Sequence, residues 1–314
     1  MRALWNRWTG LSPWTRAFVQ ALLLLAVVHV FVLRWVIVQS TSMFATLLPG
    51  DVLVVQRWPV WTGVDRGDVL VFRDPTQDDR PVRRRQLLVK RVVGLPGDTV
   101  EIRAGLVLVN GRPLPPWPGE TRRYLVRIAP ETSLDSIAAA IGLPRTFIAA
   151  GERHLELPLN PALAARLERV RGVRDVGPMG LSQRPARHLF PFSPFHPWSS
   201  DAYGPLRVPA AGDSVPLEPA QLPLYDRILT RHEGHVLEVG RDGLLLDGTP
   251  AAKAVIARDH YFVLGDSRHN SADSRHWGFV PADHLVGRAV RVLLSWDAQP
   301  RRLRGDRWWR TLGR

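Results

Sequence analysis

The chain has 314 residues, enough for one large or two modest domains, and its 45% hydrophobic and 23% charged residues are ordinary for a folded protein. It contains no cysteine, which excludes disulfides, thiolate nucleophiles and cysteine zinc sites. The formal net charge of +13 suits an anionic partner, either a membrane surface or nucleic acid.

From the N-terminus, residues 17–33 are almost wholly apolar, broken by Gln20 and His29, and Trp35-Val36-Ile37-Val38 extends the run past Arg34. About 20 apolar residues cross a bilayer core, so 17–38 reads as a transmembrane anchor. Arg2, Arg7 and Arg16 precede it, which puts segment 1–16 in the cytoplasm. Trp5, Trp8, Trp14 and Trp35 flank it as interfacial aromatics do. A cleaved signal peptide is the competing reading. The apolar run is long for that, and Gln39-Ser40-Thr41-Ser42 lacks a small-x-small cleavage site. A retained anchor places everything from about residue 39 outside the cytoplasm, beside the lipid bilayer. Anionic lipid, rather than nucleic acid, is then the expected partner of the excess positive charge.

The remainder reads as strands and turns. A Gly-Asp pair precedes an apolar or alternating run at 50–51, 67–68, 97–98 and 212–213. Glycine supplies an open dihedral there and aspartate bonds the turn backbone. Further strands are expected at 227–230, 235–239, 243–246, 261–264 and 288–295, with hairpin turns at Asn110-Gly111 and Asp247-Gly248. Two segments read as helices: 133–141, with a hydroxyl cap, and 160–171, which opens Asn160-Pro161. The fold class is therefore mainly β, an antiparallel scaffold interrupted by an inserted α+β and irregular cap. The scaffold is split between 39–111 and 227–298, the insertion is 112–226, and a basic, Trp-containing tail occupies 299–314.

Only two of the 42 basic residues are lysines, Lys90 and Lys253; the rest are arginines. Lys90 sits in an apolar run, Leu87-Leu88-Val89-Lys90-Arg91-Val92-Val93. A desolvated lysine can lose its proton and act as a base, which arginine cannot. Its natural partner is a serine, a poor nucleophile until a base takes its proton. Ser40-Thr41-Ser42-Met43-Phe44-Ala45-Thr46-Leu47 follows the apolar segment. A third polar segment, Gly265-Asp266-Ser267-Arg268-His269-Asn270-Ser271-Ala272-Asp273-Ser274-Arg275, follows a strand and suits a hydrogen-bonded network. No Gly-x-Ser-x-Gly elbow is present. The ten histidines occupy no recognisable triad context and read mostly as surface or turn residues. The spacing of His260, His269, His276 and His284 fits no helical ligand pair, so neither metal nor cofactor is expected.

These segments resemble the boxes of the bacterial type I signal peptidases, membrane-anchored serine proteases that remove signal peptides from exported preproteins. The run at 40–47 resembles the nucleophile box, 66–72 the strand after it, 90–98 the base box, and 265–278 the final box, in family order. The resemblance implies Ser42 as nucleophile, Lys90 as general base, and Ser40 with the Ser42 N–H as oxyanion hole. It further implies Ser271 orienting the lysine and Asp273 with Arg275 as a structural ion pair. Val38, Met43 and Val89 are expected walls for the small residues of a signal peptide. The chain departs from the family at Ala45, where proline is usual, and at Ser267 and His269, where asparagine and aspartate are usual. One expected span replaces the two of the better-known members. Two other readings compete. A self-cleaving Ser/Lys repressor would need a helix-turn-helix where 1–38 is apolar. An inactive anchored β protein binding anionic surfaces is opposed by the complete set Ser40, Ser42, Lys90 and Ser271. The tail around Arg301–Arg310 is expected to lie on anionic lipid.

Overall fold

The structure, a computed structural model, describes residues 12–27, 32–148, 154–182, 184–241, 243–297 and 302–313. Arg2, Trp5, Arg7, Trp8 and His29, part of the anchor reading, lie outside the described residues, as do 299–301 of the tail.

All four Gly-Asp turns form as their sequence implies. Gly50, Gly67, Gly97 and Gly212 hold φ between 86° and 91°. In each turn the aspartate carboxylate accepts the N–H of the residue three back: Leu48, Asp65, Leu95 and Ala210, at 2.7–3.0 Å. An arginine faces each carboxylate: Arg307 on Asp51, Arg288 on Asp68, Arg66 on Asp98 and Arg207 on Asp213.

Three of these turns feed two antiparallel sheets. The larger has the order Leu33–Ile37, Asp51–Gln56, Leu285–Asp297, Val69–Arg73, Leu87–Gly94, His260–Leu264, Val280–Pro281. The turn at 97–98 feeds the second, in which Thr99–Arg103 pairs with Leu106–Val109 and with Tyr203–Arg207. On one face of the large sheet Val36, Leu53, Val55, Val69, Val71 and Val292 bury against Val38, Met43 and Leu47. The nucleophile-box segment therefore packs directly on the sheet that carries Lys90.

The described parts of the apolar N-terminal segment form a helix and a strand. Pro13–Val27 is a helix of 15 residues, and no helix among the described residues is long and apolar enough to cross a membrane. Leu33–Ile37, expected inside the span, is instead the edge strand of the large sheet, with Leu33 opposite Gln56 and Ile37 opposite Val52. Its burial alternates: Val36 and Val38 face the core while Trp35 and Ile37 are exposed. That period of two, with β-branched Val36, Ile37 and Val38, favours a strand once a partner edge is available.

Residues 112–226 fall into two parts. The first is a three-stranded sheet, Val173–Pro178, Arg122–Ile128 and His154–Leu159, carrying helices Leu134–Ile141 and Pro161–Leu167. The caps are those the sequence implies: Ser133 Oγ accepts from Ser136 N at 3.2 Å, and Asn160 Oδ1 from Leu163 N at 2.9 Å. The core of this unit takes in Phe44 and Leu48. The second part returns to the scaffold through Tyr203–Arg207. Residues 227–230, expected as a strand, are helical, within Leu222–Arg227 and the following π turn Ile228–His232. Leu224, Tyr225, Ile228 and Leu229 bury one helical face there, a period of three to four rather than two. His260 and His284 are also buried, with His232 ring-stacked on His260, rather than exposed turn residues.

The described tail folds back on the sheet. Arg302–Leu303 pairs with Trp296 and Asp297, Leu312 packs against the core, and Arg307 is buried on Asp51 with Nε–Oδ1 at 3.0 Å. Arg307→Met strands a buried carboxylate and is expected to lower unfolding free energy by roughly 3–5 kcal/mol; urea melts of the two proteins measure this.

Candidate active site

Lys90 lies mid-strand in Leu87–Gly94, paired with Leu70 on the next strand, and is 4% exposed. Its Nζ is 2.6 Å from Ser42 Oγ and 3.2 Å from the Val89 carbonyl. Burial pushes the Lys90 pKa down to about 8, although the carboxylates of Asp273 and Asp266 pull it partly back. A substantial neutral fraction therefore exists at mildly alkaline pH.

Ser42 sits in the turn between the edge strand and Asp51–Gln56. Ser40 Oγ is 3.2 Å from Ser42 Oγ, and the Ser42 N–H has no hydrogen-bond partner among the described residues. The Ser42 N–H is thus unpaired beside the hydroxyl, and the Ser40 hydroxyl is hydrogen-bonded to it. The Ser42 carbonyl accepts from Ser267 N at 3.0 Å, which fastens the nucleophile-box turn to the loop after His260–Leu264.

Residues 265–275 form the hydrogen-bonded network that their composition suggests. Asp273 and Arg275 pair bidentately, Nε–Oδ1 at 2.9 Å and Nη2–Oδ2 at 2.8 Å, and both are buried. Burial alone would raise the Asp273 pKa. The Arg275 charge, with hydrogen bonds from His276, Arg275 and Gly265 N, holds it well below the usual carboxylate range. Ser271 lies beside the pair, but its buried hydroxyl bonds to no described residue, Lys90 included. Between Ser271 and Ser42 passes Gly265, where a Cβ would meet the Ser271 hydroxyl and come within 2.6 Å of the Ser42 carbonyl oxygen. Glycine is required there by close approach alone.

Of the three expected pocket walls, Val38 and Met43 are buried in the sheet core and Val89 packs half-buried against the same cluster. An open cavity of about 150 Å³ lies instead beside Thr41 and Asn270. The other aspartate of the loop, Asp266, was not singled out by the sequence reading. It receives Arg91 Nε at 2.8 Å and Nη2 at 2.7 Å, and the Thr46 hydroxyl at 2.5 Å. Arg91 adjoins Lys90 and Thr46 belongs to the nucleophile-box turn, so this carboxylate ties the two together. The signal available was the conjunction of an acidic residue in the final box with an arginine beside the spared lysine.

A family model described as "Signal peptidase, peptidase S26" matches residues 11–140 and 228–295. The chain belongs to this family. The unmatched interval 141–227 covers most of the stretch between the two scaffold halves. Signal peptidase I of Buchnera aphidicola subsp. Acyrthosiphon pisum is 46% identical over 48 residues, 15% of each chain. Signal peptidase I P of Bacillus subtilis subsp. natto is 35% identical over 105 residues, 33% of this chain and 53% of the relative. The match thus spans about half, or less, of the length of these two relatives. Signal peptidase I of Buchnera aphidicola subsp. Baizongia pistaciae is 22% identical over 289 residues, 88% of this chain and 74% of that one. A crystal structure of a signal peptidase I from Enterococcus faecalis aligns with a TM-score of 0.25 at 20% identity, over 72% of this chain and 96% of that one.

Gly265→Ala forces the Ser42 and Ser271 segments apart and is expected to cost about 1–3 kcal/mol of stability, as overpacking does. Gly180→Ala, where a Cβ would meet nothing within 4 Å, should leave the melting temperature unchanged in the same thermal scan.

Proposed function

We propose that this protein is a serine endopeptidase that removes N-terminal signal peptides from exported preproteins, with Ser42 as nucleophile and Lys90 as general base. The observation that carries the reading is the 2.6 Å approach of Ser42 Oγ to a buried lysine amine whose pKa is depressed to about 8. Neutral Lys90 takes the Ser42 proton as the hydroxyl oxygen attacks the scissile carbonyl. The Ser42 N–H and Ser40 Oγ receive the oxyanion, each donor contributing on the order of a few kcal/mol. Lys90 then protonates the leaving amine, and water, deprotonated by the same amine, hydrolyses the acyl-enzyme. Ser271, whose hydroxyl is unbonded here, would orient the amine on turning to it, and Asp273 with Arg275 fixes the loop that carries Ser271. The small residues before the cleaved bond rest over Val89, with Val38 and Met43 behind it.

The site of action is the outer face of the bacterial inner membrane. Helix Pro13–Val27 exposes Trp14, Phe18, Leu22, Leu23, Leu24 and Leu25, and the sheet edge exposes Trp35 and Ile37. Trp58, Trp61, Trp296, Trp308 and Trp309 are exposed as well, an abundance that suits a membrane interface. In this reading the segment before the edge strand anchors the chain once, with a cytoplasmic N-terminus.

Offered a preprotein in detergent, Ser42→Ala and Lys90→Arg should each lose roughly 10⁴-fold or more in kcat; normal cleavage by Lys90→Arg sinks the dyad. For the wild type, kcat/KM should fall about tenfold per pH unit below an apparent pKa near 8, because only the neutral amine is competent. A profile flat to pH 5 contradicts this.

The same shift governs stability. Between about pH 8 and 10.5 the folded state binds fewer protons at Lys90 than the unfolded state, so this residue makes stability rise with pH across that window. Below pH 8 it costs roughly 3 kcal/mol. Lys90→Met should therefore be inactive, at least as stable as wild type at pH 7, and without that alkaline rise, as chemical denaturation across pH will report.

A further inference from the structure

A cleft of about 1010 Å³ opens between the two helices of the inserted unit and the folded-back tail. Its floor includes Phe44, Ala45 and Leu48, which continue directly from Ser42, together with Ile141 and Leu163 of the helices. Its rim carries Arg145 and Arg166 from the helical side and Arg302, Arg304, Arg307 and Arg310 from the tail, against three carboxylates, Asp135, Asp297 and Asp306. Two of these charges are already answered: Arg307 by Asp51, and Arg145 by Asp135 at 4.0 Å. Arg166, Arg302, Arg304 and Arg310 enter no direct ion pair among the described residues; Arg304 donates to the carbonyls of Pro49 and Trp296, and Arg304 and Arg310 feel the charges of Asp51 and Asp306 only at longer range. Partial desolvation and the repulsion of Arg307 lower the pKa of Arg310, and Arg304 is lowered mainly by desolvation. Both guanidiniums are thus less well accommodated than free arginine.

An excess of arginine over carboxylate around an apolar floor calls for an anion with an apolar body. The tail that supplies Arg302, Arg304 and Arg310 also exposes Leu303, Trp308 and Trp309, and Trp296 is exposed on the strand it pairs with. The rim and this aromatic fringe belong to one surface, so the source of the anion is the bilayer rather than solution. We infer that the cleft is a binding site for an anionic glycerophospholipid, its phosphate held by Arg166, Arg302, Arg304 and Arg310 and its proximal chain laid on Phe44, Leu48 and Ile141. The inference rests on the membrane-surface reading given above. It places a lipid against the back of the segment that bears Ser42.

The test uses the full chain purified in a non-ionic detergent and exposed to phosphatidylglycerol or to phosphatidylcholine of the same acyl chains. Retained lipid is counted by native mass spectrometry. Wild type should retain phosphatidylglycerol over phosphatidylcholine by at least about tenfold, and the triple variant R166Q/R302Q/R310Q should lose that preference, each arginine near a lipid surface contributing about 1 kcal/mol. All three positions are exposed; R302Q alone, expected to retain less phosphatidylglycerol than wild type, substitutes if the triple variant does not fold. Equal retention by wild type and variant overturns the site. Full displacement of the lipid by millimolar inorganic phosphate overturns the assignment to a lipid in favour of a free phosphate. Preprotein cleavage is measured on the same samples. Lipid retention without cleavage by wild type rejects the peptidase reading and leaves the site standing, whereas cleavage with unchanged retention in the variant does the reverse.

Discussion

One buried carboxylate, Asp266, holds Lys90 and Ser42 in a common frame. Lys90 and Ser42 are 48 positions apart in sequence and lie on separate elements. Their 2.6 Å approach therefore depends on what fixes the strand Leu87–Gly94 against the turn at 41–46. Asp266 does so by receiving Arg91 on one side and Thr46 on the other. Arg91 is itself held by the carbonyls of Gly67 and Gly313, and its guanidinium lies over the Trp117 ring at 5.2 Å. A buried ion pair of this kind adds little net stability against an apolar replacement, but removing one partner is costly. Its value here is geometric. The neighbouring pair, Asp273 with Arg275, fixes the same loop through Gly265, whose N–H Asp273 accepts at 3.0 Å.

Much of this was legible in the sequence, and for physical reasons. The Gly-Asp turns are local: a glycine with positive φ and a carboxylate that reaches back three residues need nothing from the rest of the chain. Lys90 stood out because arginine replaces lysine almost everywhere that charge alone is needed. Less legible were the features set by tertiary partners. The apolar residues 33–37 carry both a membrane-like composition and a strand-like alternation, and the available edge of Asp51–Gln56 decides between them. Residues 224–229 carry a helical face too short to separate from a strand by composition. The arginines that answer the turn aspartates come from as far away as Arg307, and spacing cannot announce such pairs.

The stretch between the scaffold halves is also more involved with the site than its composition implies. Its small sheet and helices share a core with Phe44 and Leu48, and Thr121 bridges them to the final loop by accepting from Arg268 N and donating its own N–H to the Asp266 carbonyl. The backbone around Ser42 is thus braced on one side by the large sheet and on the other by this unit. Changes in its helical core should be felt at the turn even though none of its side chains belongs to the dyad.

The rarity of lysine has a chemical corollary. Beyond the α-amine, the protein's aliphatic amines number two: Lys253, exposed at the start of the strand Lys253–Val255, and Lys90. All other cationic side chains are guanidiniums or imidazoles, which amine-directed acylating and reductive-alkylating reagents leave largely alone. A side chain with a depressed pKa presents its reactive free base at a pH where an ordinary lysine remains protonated. Selective covalent labelling of Lys90, ordinarily frustrated by a crowd of surface lysines, has in this chain a single side-chain competitor.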